Sequence, residues 1–197
     1  MGDLEKKYEL ILNYEEQFAY TLGREVIDKP EASVWMILLP VLFVHHAYRV
    51  NRYKEAVRSF ARGILDSRQR ALDMARRQIE SGAREEIRGE DFFSELDSAS
   101  ERDLVLAEKQ LEVIRIQQEH YLRLLDAPGD NYGDLIRNAY NEAGQYREYV
   151  SRLTAAEQEL NRYLSENVHT DEDSRAVVQR MEDLCADLRG REVKSFF

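Results

Sequence analysis

The chain has 197 residues, of which 43% are hydrophobic and 34% are charged, and it contains 9 Gly, 3 Pro and 1 Cys. This composition excludes collagen-like, disulfide-rich and disordered classes, and so few Gly and Pro residues argue against a turn-dense β fold. The formal net charge of -10 argues against nucleic acid as a partner, because the chain repels phosphate at long range. We therefore expect a single helical domain over residues 1–197 with its own hydrophobic core.

The N-terminal sequence is charged from Asp3 onward and lacks the apolar stretch of a secretory signal. The single cysteine, Cys185, lies between Leu184 and Leu188 on a helical face, which favours a buried thiol over a reactive one. We predict a cytoplasmic protein, with the inner face of a membrane as the alternative location.

The first predicted helix covers about residues 3–26. Its apolar residues recur at intervals of three and four positions, and the resulting stripe consists of Leu4, Tyr8, Ile11, Phe18 and Leu22. A second helix start follows at Asp28, a capping carboxylate that precedes Pro30 in the first turn. The helical pattern then continues to about Gly82.

Residues 31–48 form an apolar segment with a proline, Pro40, near its middle. A helix that spans a bilayer needs about 20 apolar residues, whereas the unbroken stretch here is about 13 residues long. Pro40 also removes a backbone hydrogen bond. The segment is therefore either a helix buried within the bundle and kinked at Pro40, or a segment that enters one leaflet of a membrane.

A basic helix follows this apolar segment directly. Residues 49–88 contain 11 Lys and Arg against 6 Asp and Glu, which gives this segment a net charge of +5. Since the whole chain has a net charge of -10, the remaining residues together carry -15. This helix pairs either with acidic helices of its own bundle or with an anionic membrane surface. The residues that we predict to contact a partner or a membrane are Trp35, Leu38, Leu39, Pro40, Phe43, Arg49, Arg52, Arg58, Phe196 and Phe197.

Residues 82–99 are predicted to be a loop between the long helices, because they contain two Gly residues and no clear period. Ser100 and Asp103 then match a capping box with Asp in place of Glu, which opens a helix that extends to about Asp126. Its predicted seam consists of Leu104, Ala107, Leu111, Ile114, Gln118, Tyr121 and Leu125.

A turn at residues 127–131 separates this helix from one predicted to continue without interruption over residues 133–167, about 50 Å in length. The short connection favours an antiparallel hairpin. A last helix, capped at residues 170–173, carries Val177, Met181, Leu184 and Leu188 on one face. The terminal Phe196 and Phe197 either fold back onto the bundle or bind a neighbouring chain.

Three polar residues, Glu15, Gln118 and Glu157, lie within the apolar seams. A buried carboxylate is costly without a partner, so each must find one, lie at the edge of its seam or bind a proton. We interpret these residues as a buried polar layer that fixes register and oligomeric state. A ligand pocket that involves Glu15 and Glu157 is the alternative.

Glu166 and His169 match the Glu-x-x-His element that resembles ferritin-like di-iron sites. Those sites use the element twice, and here it occurs once at a helix end. We therefore predict no metal site and no cofactor, with Glu166 and His169 as the weak metal candidates.

The sequence as a whole predicts an all-α, elongated antiparallel bundle of four to five helices with coiled-coil-like heptad seams. It contains no glycine-rich phosphate loop, nucleophile elbow or Cys–His cluster, so we predict no enzyme and no catalytic residues. We expect a scaffold or adaptor that forms a homo-oligomer or binds a partner protein. The alternatives are a peripheral membrane protein that uses segment 32–48 and helix 49–77, and a metal- or ligand-binding bundle.

Overall fold

The computed structural model describes residues 2–29, 40–83, 100–168 and 172–197, and within 40–48 it describes the backbone alone. Over these ranges the chain forms six helices and no strand, which confirms the predicted all-α bundle. The helices are α1 (Asp3–Val26), α2 (Pro40–Ser81), α3 (Glu101–Asp126), α4 (Tyr132–Tyr140), α5 (Ala143–Asn167) and α6 (Glu172–Phe196). The predicted helix start near Pro30, the residues preceding Pro40 in the apolar segment, and all of the predicted loop beyond Ala83 lie outside the described residues.

Local signals in the sequence fix several helix ends. The Ser100 side chain accepts from the Asp103 N–H, and the Asp103 carboxylate accepts from the Ser100 N–H at 2.9 Å, which is the predicted capping box. Asn131 caps α4 in a similar way, because its side chain accepts from the Asp134 N–H at 3.0 Å. Gly82 ends α2 with a φ of +66°, a conformation that glycine adopts without strain.

The uninterrupted helix predicted over residues 133–167 is wrong, because the chain leaves helical geometry at Asn141 and Glu142. Asn141 has a φ of +55° and a ψ of −36°, a positive-φ conformation outside the left-handed helical region, in which glycine is favoured over residues with a side chain. The break divides the predicted 50 Å rod into a short α4 and a 25-residue α5 of about 38 Å. It also accounts for six described helices instead of four or five.

Side-chain pairs establish how neighbouring helices run. Residues 5, 8, 15 and 24 of α1 pair with residues 76, 73, 68 and 53 of α2 in descending order, so these helices are antiparallel. Residues 102, 109 and 119 of α3 pair with residues 163, 159 and 152 of α5 in the same descending manner. The helix α6 runs antiparallel to both α1 and α5. Residues 14 and 28, in and just after α1, pair with residues 192 and 180 of α6. Residues 157 and 161 of α5 pair with residues 189 and 182 of α6.

The helix α3 is buried on more than its predicted seam. Six predicted seam residues, from Ala107 to Leu125, are buried, whereas Leu104 at the N-terminal end is 43% exposed. Five of the positions between them are buried as well: Val113, Ile116, Gln117, His120 and Leu124. Because α1, α2, α4 and α5 all pack against α3, this helix has two interior faces and lies at the centre of the bundle.

Among the described residues, no helix is both long enough and apolar enough to cross a membrane. The residues Trp35, Leu38 and Leu39 of the predicted contact surface lie outside the described ranges. Pro40 is the first residue of α2, and Phe43 lies in the first turn of that helix. Of the 42 residues of α2, those from Arg49 onward are described with their side chains.

Candidate functional site

The first buried polar group joins three helices. Glu15 on α1 forms an ion pair with Arg68 on α2, and Tyr121 on α3 donates to the other carboxylate oxygen of Glu15 at 2.9 Å. The Arg68 guanidinium also lies over the ring of Phe18, 4.4 Å from its centroid. Both oxygens of Glu15 are therefore satisfied, as a buried carboxylate requires.

The second buried polar group joins α5 and α6. Arg189 donates to both carboxylate oxygens of Glu157, at 2.6 and 2.8 Å, and to the Thr154 hydroxyl at 2.9 Å. The Arg189 side chain is 5% exposed and that of Glu157 is 23% exposed. This two-pronged geometry is the strong form of an arginine–carboxylate pair.

Gln118, the third predicted polar residue, is buried elsewhere, and its Nε2 donates to Gln78 Oε1 at 3.2 Å. All three predicted polar residues therefore have polar partners, but they do not form one layer. Glu15 and Glu157 are paired with two different arginines, Arg68 and Arg189.

A cavity of about 130 Å³, here called the central cavity, lies among α1, α2, α3, α5 and α6. Its polar lining includes Arg68 and Arg189, one from each ion pair, together with Glu157 and Gln117. Its apolar lining is Leu22, Ile64, Val113, Leu160, Met181 and Cys185. Glu157 thus lies at the cavity directly, and Glu15 is linked to it through Arg68.

Gln117 is the one described residue with a buried side-chain polar atom that lacks a hydrogen-bond partner. The side chain is 2% exposed, and the atom without a partner is Oε1. Leaving a buried amide oxygen unsatisfied costs about 1–3 kcal/mol, so such an atom calls for an explanation. The sequence offered no signal for it, because Gln117 falls outside the predicted seam.

Cys185 is half-buried in the wall of the central cavity. Burial, opposed by the positive charge of Arg189 and assisted by the negative charge of Glu157, raises the pKa of its thiol to about 11. The thiol is therefore protonated at neutral pH and a poor nucleophile.

A second polar cluster surrounds His120 on α3. His120 Nδ1 and Tyr140 Oη form a hydrogen bond of 2.7 Å, and the imidazole stacks on the Tyr149 ring with centroids 4.0 Å apart. Burial, together with the positive charges of Arg68 and Arg123, lowers the pKa of His120 to about 3. His120 is therefore neutral at physiological pH. The break at Asn141 places Tyr140 at this position. The cluster could therefore not be predicted from a single continuous helix over residues 133–167.

Phe196 folds back onto the bundle. Its ring lies 5.8 Å from Tyr132 and 6.2 Å from Tyr14, and Tyr14 and Tyr132 stack with their centroids 3.6 Å apart. Tyr14 also donates to Glu192 at 2.5 Å. The ring of Phe197 is tilted against that of Tyr146, with centroids 6.1 Å apart, and Phe197 stays 44% exposed.

The first part of α2 carries an exposed group of cations, here called the basic surface: Arg49, Arg52, Lys54, Arg58 and Arg62. Among the described residues, none of these five takes part in an ion pair. Further along α2 the situation differs, because Arg68 pairs with Glu15 and Arg76 pairs with Glu5 and Glu80. Within the part of the chain that the structure describes, the predicted pairing with other helices of the bundle thus occurs in the second part of α2.

The metal candidates do not form a site in the described structure. Glu166 is exposed near the end of α5, and His169 lies outside the described residues. Over the described ranges, no group of three or more His, Cys, Asp or Glu side chains could hold a metal ion.

Comparison with known proteins gives no relative: no family model, no curated protein and no solved structure matches this chain.

Proposed function

We propose that this chain is a non-enzymatic scaffold or adaptor that binds an acidic surface of a partner protein through the basic surface of α2. The observation that carries the proposal is that five cations within 14 residues, from Arg49 to Arg62, are exposed and have no ion-pair partner in the described structure. The five cations extend over about 20 Å of helix, a typical length for the contact between one helix and a partner protein.

The arrangement of these cations is unfavourable in the isolated chain. Lys54, Arg58 and Arg62 follow one another at i,i+4 spacing, and like charges at this spacing repel by about 0.2–0.5 kcal/mol per pair. Glu55 is the only acidic residue between Arg49 and Arg62. An acidic partner would remove the repulsion and would also accelerate encounter through electrostatic steering.

The underside of the same helix supports this assignment. Val57 is buried, and Phe60 and Ile64 pack against Phe18 and Leu22 of α1. The apolar stripe thus holds α2 in the bundle, while the five cations stay exposed around the rest of the helix. Stability of the fold does not depend on them, since exposed cations contribute little to it.

The test is binding of a labelled polyglutamate peptide, measured by fluorescence anisotropy at low and high salt. Arg49→Glu, Arg52→Glu and Arg58→Glu are combined in one variant. Its matched control is the combination of Arg147→Glu, Arg162→Glu and Arg175→Glu, three exposed arginines of α5 and α6. Both variants change the net charge by the same amount, so they separate the effect of position from that of total charge.

The proposal predicts salt-sensitive binding that weakens at least about tenfold in the α2 variant and much less in the control. Equal weakening in both variants would show an effect of net charge alone and would contradict the proposal. Flotation with phosphatidylserine vesicles is measured in parallel. Binding to vesicles without binding to polyglutamate would replace the partner protein by a membrane surface.

A further inference from the structure

We infer that a groove between α3 and α5 binds a small zwitterion, namely an α-amino acid with an uncharged side chain. The groove has a volume of about 330 Å³, and Tyr140 at the end of α4 contributes to its lining. The observation that leads to this ligand class is that Arg123 and Glu148 line the groove at matching positions of the two helices and do not pair. The site goes beyond the proposed function, because it uses no residue of the basic surface.

The register of α3 and α5 is what makes Arg123 and Glu148 a matched pair of positions. Glu119 on α3 pairs with Arg152 on α5 at 3.2 Å, and the two helices are antiparallel. Moving four residues forward from Glu119 and four back from Arg152, about one helical turn each, leads to Arg123 and Glu148. Both are exposed and line the groove, yet neither takes part in an ion pair within the described ranges. The groove therefore separates a positive group from a negative group.

The guanidinium of Arg123 is positioned by an aromatic ring. Its Cζ lies over the ring of Tyr140, 5.4 Å from the centroid. Tyr140 is only 1% exposed and lines the same groove, so the guanidinium lies at the groove wall. Stacking on a ring engages the face of a guanidinium and leaves the N–H donors at its edge available. Those donors match the two oxygens of a carboxylate.

The balance of charge in the groove selects a ligand that carries both signs. Among the described residues, its lining includes two arginines and two glutamates, and one arginine and one glutamate already neutralise each other as Arg152 and Glu119. An anionic ligand would pair with Arg123 but would leave Glu148 as an unpaired like charge. A cationic ligand would meet the reverse situation. An α-amino acid satisfies both groups, because its carboxylate and its ammonium are attached to one carbon.

The floor of the groove is polar but uncharged, which decides the rest of the ligand. The neutral His120 and Tyr140 share their hydrogen bond of 2.7 Å, and Tyr149 stacks on His120. Gln145 adds a neutral amide to the lining. The volume of about 330 Å³ lies at the small end of the range for small-molecule sites. We therefore expect a small amino acid with an uncharged polar side chain.

The experiment is an NMR titration of the ¹⁵N-labelled full chain with three probes. L-Glutamine carries both charges, N-acetyl-L-glutamine lacks the ammonium, and L-glutamine amide has an amide in place of the α-carboxylate. L-Glutamine is expected to bind at least about tenfold more tightly than either analogue, because each analogue leaves one charge of the groove without a partner.

Two variants each remove one of the partners. In Glu148→Gln the preference for L-glutamine over N-acetyl-L-glutamine should disappear, while the preference over L-glutamine amide stays. In Arg123→Gln the opposite preference should disappear. Both side chains are exposed, so both variants are expected to fold, which circular dichroism checks. Glu112→Gln and Arg115→Gln are the matched controls, since these two residues form an exposed ion pair on α3 outside the groove, and they should leave all three affinities unchanged.

Three results would overturn the inference. The first is the absence of L-glutamine binding at millimolar concentration, which would indicate that Arg123 and Glu148 pair directly in solution. The second is equal affinity of the wild-type chain for the three probes, which would show that the groove does not recognise the two charges. The third is a set of preferences that neither variant changes, which would place the bound probe elsewhere.

Discussion

The carboxylate of Glu15 and the guanidinium of Arg68 form an ion pair whose side chains are only 7% and 8% exposed. The pair fixes α1 against α2, and Tyr121 adds α3 to the same group. Burying two charges is expensive, so such a pair contributes more to a defined arrangement of helices than to net stability. Each of the two groups is also the counter-charge that the other needs in the interior.

Removing one member of this pair should destabilise the fold strongly. Arg68→Met is expected to lower the free energy of unfolding by about 3–5 kcal/mol, because Glu15 stays buried without a counter-charge. The double variant Glu15→Leu with Arg68→Met should recover most of the loss. Urea denaturation measures both. Arg137→Met breaks an exposed pair with Asp134 and serves as control, with an expected loss below about 1 kcal/mol. A loss for Arg68→Met as small as that of the control would refute the prediction.

His120 should make stability fall as the pH falls from about 6.5 toward 3. The folded chain keeps His120 neutral, since burial lowers its pKa to about 3, while the unfolded chain binds a proton near its ordinary pKa of about 6.5. The unfolded state therefore gains stability by up to about 1.4 kcal/mol per pH unit within this window.

The measurement is the slope of unfolding free energy against pH for wild type and for His120→Phe. The variant lowers stability at neutral pH because Tyr140 loses its partner, yet its slope between pH 6.5 and 4 should be shallower. Tyr140→Phe removes the same hydrogen bond but retains the imidazole, so it should keep the wild-type slope. Identical slopes for wild type and His120→Phe would show that His120 titrates normally in the folded state.

The alkylation rate of Cys185 should keep rising at pH values at which the rate of an ordinary thiol has already levelled off. Because burial raises its pKa to about 11, the rate of alkylation by iodoacetamide should still increase between pH 9 and 10. In urea the same rate should level off near the usual pKa of about 8.5. A plateau near pH 8.5 in the native chain would mean that Cys185 is open to solvent.

Asn141 should tolerate glycine and reject a β-branched residue. With its φ of +55°, Asn141→Gly is expected to be near neutral, whereas Asn141→Val should cost about 1–2 kcal/mol. Thermal denaturation distinguishes the two. Comparable stability of Asn141→Val and Asn141→Gly would indicate that α4 and α5 join into one helix in solution.

Periodicity and capping residues were enough to predict much of the fold. The limits of α1 and the capping box at Ser100 depend on local interactions, which a sequence displays directly. The break at Asn141 was missed because Ala139 and Ala143 continue the apolar rhythm across it. The asparagine itself was the available signal, since asparagine often follows a helix C-terminus.

The candidate site was only half predictable. Glu15 and Glu157 were noticeable as acids within apolar seams, but their partners Arg68 and Arg189 look like ordinary surface cations in the sequence. Gln117 became relevant only because α3 has two interior faces, which depends on how the other helices surround it. Such long-range packing is not encoded in the period of any single helix.

The central claim, that the basic surface of α2 binds a partner protein, is tested most directly by site-specific photo-crosslinking in living cells. A photoreactive amino acid replaces Arg52 in one version of the chain and the exposed Arg147 in another. We expect one discrete protein adduct from position 52 that disappears when Arg49→Glu and Arg58→Glu are added. No adduct from position 52, or the same adduct from position 147, would contradict it.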